Sequence, residues 1–144
     1  MIEARLRRIE AVNPLLNAVT GVLGEQALQA ARAADGAVAG GEQLPRFHGG
    51  PVTVKENIDV AGTATVQGAK ALAGAYPSRG APLVEPLKAA GAIPAGRTNL
   101  PAYRVGWVWE SELYGATVSP WDRPRTPGAS SGGETAALAT GMTR

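Results

Sequence analysis

The run Pro51-Val52-Thr53-Val54-Lys55-Glu56-Asn57-Ile58-Asp59-Val60 alternates with a period of two between glycine breaks at Gly49-Gly50 and Gly62, and reads as a strand. Its two faces differ. Val52, Val54, Ile58 and Val60 fall on one side together with Glu56, while Thr53, Lys55, Asn57 and Asp59 fall on the other. Further on, Pro82 stands where a first helical turn tolerates proline, and Leu83, Val84, Leu87 and Ala90 form the apolar stripe of a short helix stopped by Gly91. Ala92-Ile93-Pro94-Ala95 reads as a second, short strand, with Pro94 weighing against a central place in a sheet. Strand, helix and strand in that order predict an α/β layer with a right-handed crossover.

A chain of 144 residues is sized for one core. With 44% hydrophobic and 18% charged residues it is globular, and Gly 19 with Pro 11 predicts many loops. The formal charge is +2, and Lys55, Lys70 and Lys88 are scattered, so no nucleic-acid partner is expected. Having no cysteine, the chain forms no disulfide or thiolate metal site, and neither a metal nor another cofactor is expected. With no signal-like start and no apolar run of spanning length, a cytoplasmic address and no membrane partner are expected.

Residues 1–45 read as a helical arm whose role is packing. Ile2, Leu6 and Ile9 form an amphipathic stripe with Arg5, Arg7 and Arg8 on the other faces, and this helix is expected to end near Asn13-Pro14. Leu15, Leu16, Val19, Val22 and Leu23 form an apolar patch before Gly24, and Ala27, Leu28, Ala31 and Ala34 mark a second helix as far as Gly36. Residues 46–144 carry the strand-helix-strand unit, then a turn at Arg97-Thr98-Asn99-Leu100-Pro101, an irregular Ser119-Pro120-Trp121-Asp122-Arg123-Pro124, and a glycine-serine loop. Trp107, Trp109 and Trp121 are read as core or cleft-wall aromatics, and His48 as a turn residue.

The loop Thr126-Pro127-Gly128-Ala129-Ser130-Ser131-Gly132-Gly133-Glu134 runs into an alanine-rich segment of strong helix propensity, and a loop opening a helix stabilises developing negative charge. It lacks the Lys-Ser or Lys-Thr of a phosphate-binding loop, because Gly133 is followed by Glu134-Thr135, whose carboxylate would repel phosphate. Taken alone, the serine pair suits a turn or helix cap. Taken as chemistry, a serine needs a base, and with one histidine in the chain a neutral lysine is the other choice. Lys55 is the candidate, although the pattern alone favours a solvated sheet face for its position, because lysines are rarely buried.

Four segments in order decide how these residues are read. They are Gly49-Gly50-Pro51-Val52-Thr53-Val54-Lys55-Glu56-Asn57, Gly96-Arg97-Thr98-Asn99-Leu100-Pro101, Tyr114-Gly115-Ala116-Thr117 with Ser119-Pro120-Trp121-Asp122, and Gly128-Ala129-Ser130-Ser131-Gly132-Gly133-Glu134. Together they resemble the successive motifs of the amidase signature family, and the likeness extends into the arm through Arg8-Ile9-Glu10-Ala11-Val12-Asn13-Pro14 and Leu16-Asn17-Ala18-Val19. Gly50 departs from the branched apolar residue common in that family.

The resemblance implies a mixed-sheet α/β/α fold, of which this chain is the first, incomplete part, and hydrolysis of a small-molecule amide through a lysine, a serine on a cis peptide bond and a nucleophilic serine. Lys55 matches the lysine and Ser130 the cis serine, with Gly128, Ser131, Gly132 and Gly133 supporting the loop or the substrate. In the family the nucleophile and the oxyanion-hole amides lie in a further glycine-rich segment, and such amides contribute roughly 3 to 4 kcal/mol each. No serine follows Ser131, so no nucleophile is assigned here, and the chain is expected to be an N-terminal portion, inactive alone. The alternative is a non-catalytic interaction or complementation module derived from an amidase. An incomplete sheet would favour self-association through an exposed edge.

Overall fold

The computed structural model describes residues 1–102 and 110–143; Trp107 and Trp109 lie outside the described residues. Helix α1, Ile2–Leu16, buries Ile2, Ile9 and Leu16, three positions seven apart that line up on one face. It does not end at Asn13-Pro14 as expected. Pro14 sits in the last turn, and the helix stops at Asn17, whose φ of 53 places it in the left-handed region. The Asn13 side chain stitches the exit: its Oδ1 accepts from Ala18 N–H at 2.9 Å and Val19 N–H at 2.7 Å, and its Nδ2 donates to Val19 O at 2.7 Å.

That turn delivers the chain into strand β1, Val19–Val22, where the sequence predicts a purely helical arm. Helix α2 follows at Gly24–Ala39, about one turn longer than a stop at Gly36 predicts. Its Ala27 is buried against Ile2, Ile93 and Ala95. Strand β2, Gly50–Lys55, is shorter than the alternating run, because Ile58 N–H closes a turn onto Lys55 O at 2.9 Å. Asn57 and Asp59 therefore do not continue the face of Lys55. Helix α3, Val84–Ala89, buries Val84 but leaves Leu83 and Leu87 exposed, and Gly91 turns the chain at a φ of +92.

Strand β3, Ala92–Thr98, is the centre of the sheet, whose order is β1-β3-β2. Two expectations are corrected here. Arg97 and Thr98 belong to the strand, and Pro94 occupies a central strand after all. The proline is accommodated because the parallel ladder with β2 shifts register between Val52 and Thr53, whose partners are Pro94 and Gly96, so β3 carries an extra residue where a proline has no N–H to give. The antiparallel pairing with β1 begins only beyond it, with Val22 opposite Gly96. The sheet is mixed, as the resemblance implies.

A two-stranded hairpin, β4 at Glu110–Ser111 and β5 at Gly115–Ala116, precedes the irregular segment and the glycine-serine loop. Trp121 is 73% exposed and so belongs to no core. Helix α4, Gly132–Ala139, packs Ala136 and Ala137 against Ile9, Leu16, Ala18 and Val19. Two arginines of α1 close its far end: Arg5 Nη1 donates to Gly141 O at 2.6 Å and Arg8 Nε to Thr140 O at 2.8 Å, placing cations where unpaired carbonyls gather. Among the described residues no helix is long and apolar enough to cross a membrane.

Candidate active site

Lys55 is the last residue of β2, and its side chain meets the glycine-serine loop. Its Nζ donates to Ser130 Oγ at 2.7 Å and to Ser131 Oγ at 2.9 Å. The peptide bond joining Ala129 to Ser130 is cis, the geometry that the resemblance attaches to this serine. Gly128, at a φ of +114, turns the chain into the loop where a residue with a Cβ would be strained. Ser131 stands at the N-terminal cap of α4 and is exposed. Gly132 and Gly133 are buried in the first turn; the N–H of Gly133 donates to Asn99 O at 3.2 Å, which ties the helix start to the end of β3.

Beneath Lys55 lies a buried polar cluster to which the sequence patterns assign no role. Arg97, 2% exposed, donates from Nη2 to Ile58 O at 2.8 Å and to Lys55 O at 3.5 Å, and from Nη1 to the Thr63 hydroxyl. It thereby braces the turn that ends β2. Glu56, 3% exposed, accepts from Thr20 Oγ1 at 2.9 Å and from Val66 N–H at 3.4 Å. Burial pushes its carboxyl above the ordinary value of 4.5, opposed by the Thr20 hydrogen bond and the Arg97 charge. Burial likewise lowers Arg97, while the charges of Glu56 and Asp59 hold it up. A signal for this cluster exists in the sequence: a carboxylate sharing a strand face with four aliphatic residues needs a buried partner.

Glu134 joins α4 to two strands of the sheet. Its Oε1 accepts from Thr53 Oγ1 at 2.7 Å and its Oε2 from Thr98 Oγ1 at 3.0 Å. Burial raises this carboxyl above 4.5, against the pull of the two hydroxyls. Ser131-Gly132-Gly133-Glu134 has the spacing of a capping box, but the carboxylate points into the sheet and bonds these threonines. Asn99, 1% exposed, joins the hairpin to the sheet by donating to Gly115 O and Thr117 Oγ1, both at 3.0 Å. A groove of about 330 Å³ between β2 and α3 is lined by Val52, Val54, Leu83 and Leu87 together with Lys55, Ser131 and Glu134. A larger cavity of about 410 Å³, between α1, α2 and the His48 turn, contains none of these polar residues. His48 sits in that turn with Nε2 3.1 Å from Ala34 O. Among the described residues no group of three or more His, Asp or Glu could hold a metal ion.

The profile of the Amidase family matches residues 1–144. The chain belongs to the amidase family. Indoleacetamide hydrolase of Bradyrhizobium diazoefficiens is 44% identical over 141 residues, covering 98% of this chain and 27% of that protein. A glutamyl-tRNA(Gln) amidotransferase subunit from a Synechococcus strain is 39% identical over 137 residues, covering 95% of this chain and 29% of that protein. The crystal structure of a peptide amidase from Stenotrophomonas maltophilia superposes with a TM-score of 0.91 at 33% identity, covering 99% of this chain and 30% of that one. This amidase chain thus spans less than a third of the length of these relatives.

Proposed function

We propose that this chain supplies the base and the relay serine of a hydrolase that cleaves C–N amide bonds, with the attacking serine supplied from outside residues 1–144. The observation that carries the reading is the 2.7 Å contact between Lys55 Nζ and Ser130 Oγ, on a serine preceded by a cis peptide bond. The relay requires neutral Lys55. It would take the proton of Ser130 Oγ while Ser130 takes that of the attacking hydroxyl, and the same separation serves when the proton returns. The activated oxygen adds to the amide carbonyl, the amine leaves with the returned proton, and water hydrolyses the ester that remains.

Support for amide hydrolysis comes from relatives that include an indoleacetamide hydrolase and a peptide amidase. A small-molecule amide is the substrate class we infer for this chain, with the protein acting in the cytoplasm. The edges of β1 and β2 that face away from β3 carry no further strand among the described residues, and they are the surfaces through which this chain would associate with another.

The test is a chimera in which residues 1–144 replace the matching segment of the Bradyrhizobium indoleacetamide hydrolase. It should hydrolyse indoleacetamide, and Lys55→Ala should lower the rate by roughly 10²–10⁴-fold. A folded chimera without activity, or one indifferent to Lys55→Ala, would refute the reading. A second reading, with Ser131 as nucleophile, has in its favour the 2.9 Å contact to Lys55. It requires turnover of simple aryl amides or esters by the 144-residue chain itself, abolished by Lys55→Ala and by Ser131→Ala. We expect no such turnover.

A further inference from the structure

We propose that Glu134 is a positioning residue: by holding Thr53 and Thr98 at once it seats the start of α4 on β2 and β3, and so sets the approach of Ser130 to Lys55. The inference rests on the reading of Lys55 and Ser130 as a proton relay, to which Glu134 adds the means of alignment.

Two rungs cross the same seam. Thr53 and Lys55 are two residues apart on β2, so their side chains leave the same face about 6.6 Å from one another. Facing them are Glu134, in the first turn of α4, and Ser130, two residues before that helix begins. Thr53 meets Glu134 at 2.7 Å and Lys55 meets Ser130 at 2.7 Å, so a slide of α4 along β2 would break both together. Thr98, 0% exposed, prevents a pivot about Thr53 by holding the second oxygen from the neighbouring strand.

Charge and packing give the clasp its stiffness. Two hydroxyls donate to one partly buried carboxylate, and such charge-assisted bonds are stronger than neutral ones. Next to it, a Cβ on Gly133 would come within 2.6 Å of Ala18 O and 2.7 Å of Asn99 O, so the helix start already touches the sheet backbone and can approach no further. Contact sets the depth of α4, and Glu134 sets its position along the strands. An alanine at 134 would keep the depth and lose the alignment.

The test is made on the 144-residue chain and needs no turnover. The ¹³Cε chemical shift of Lys55 is measured in the unmodified chain, in Ser130→Ala, in Glu134→Ala and in the double variant. Ser130→Ala should move the Lys55 signal in the unmodified chain. In the Glu134→Ala background the same change should move it by under about half as much. Glu134→Gln, which keeps an acceptor for one hydroxyl, should restore most of the response. Should Glu134→Ala not fold, Thr53→Val, which removes one bond of the clasp, is read in the same way and should also reduce the response. Equal responses in both backgrounds, or no response to Ser130→Ala in the unmodified chain, would overturn the proposal. Loss of the relay reading would show itself separately, as a chimera whose activity survives Lys55→Ala, whatever the Lys55 signal does.

Discussion

At the scale of single residues, the site depends on groups whose importance lies in what stands next to them. Gly133 has no side chain because Ala18 O, Asn99 O and the Asn99 amide occupy the space a Cβ would take. Gly133→Ala should therefore cost about 1–3 kcal/mol through overpacking, read as a lower urea midpoint at unchanged slope. A midpoint within error of the parent would mean that α4 does not pack this closely. Glu134 gives a second prediction, from the direction of its titration. Its folded carboxyl lies above the ordinary 4.5, so between these two values the folded state binds more protons than the unfolded one. Stability from this group is present below pH 4.5 and declines as pH rises through the raised value. Glu134→Gln removes that titration, and urea midpoints measured across this range should fall less steeply with rising pH than those of the parent. Parallel profiles would contradict the assigned shift. Neither residue could be placed from periodicity, because the partners that matter, Thr53, Thr98 and Asn99, are distant in sequence.

At the scale of elements, what repeats within a few residues is legible, and what depends on pairing is not. The α1 stripe can be read because Ile2 and Ile9 recur at helical spacing and are both buried. β1 escapes such a reading, since Val19-Thr20-Gly21-Val22 has four residues, a glycine and no clean alternation, and it is a strand because β3 lies beside it. The rule against proline in a central strand is sound physics, but it meets the register shift at Val52 and Thr53, where the ladder does not need that N–H. Pro94→Ala should consequently change stability by less than about 1 kcal/mol in urea unfolding. A gain of several kcal/mol would show that the proline strains β3. The end of β2 is hidden for a related reason. Alternation continues to Val60 in the sequence, but Arg97, reaching across from the neighbouring strand β3, holds Ile58 O and supports the turn at Lys55.

At the scale of the whole molecule, the fold brings together two residues 75 apart in sequence, Lys55 at the end of β2 and Ser130 just before α4. No local pattern contains that meeting. It is legible only through four motifs in a fixed order, and the sheet explains why order matters: β2 carries Lys55, β3 carries Arg97 and Thr98 beneath it, the hairpin is tied in by Asn99, and α4 closes over the result. The chain spans less than a third of its relatives, so its activity is tested in the chimera. If Lys55 and Ser130 act as one relay, removing either already stops proton transfer, and removing both should cost no more. The deciding measurement is kcat for indoleacetamide in the chimera carrying Lys55→Ala, Ser130→Ala and both. The double variant is expected within about threefold of the slower single variant. Losses that multiply, or a single variant that keeps the full rate, would contradict a shared relay.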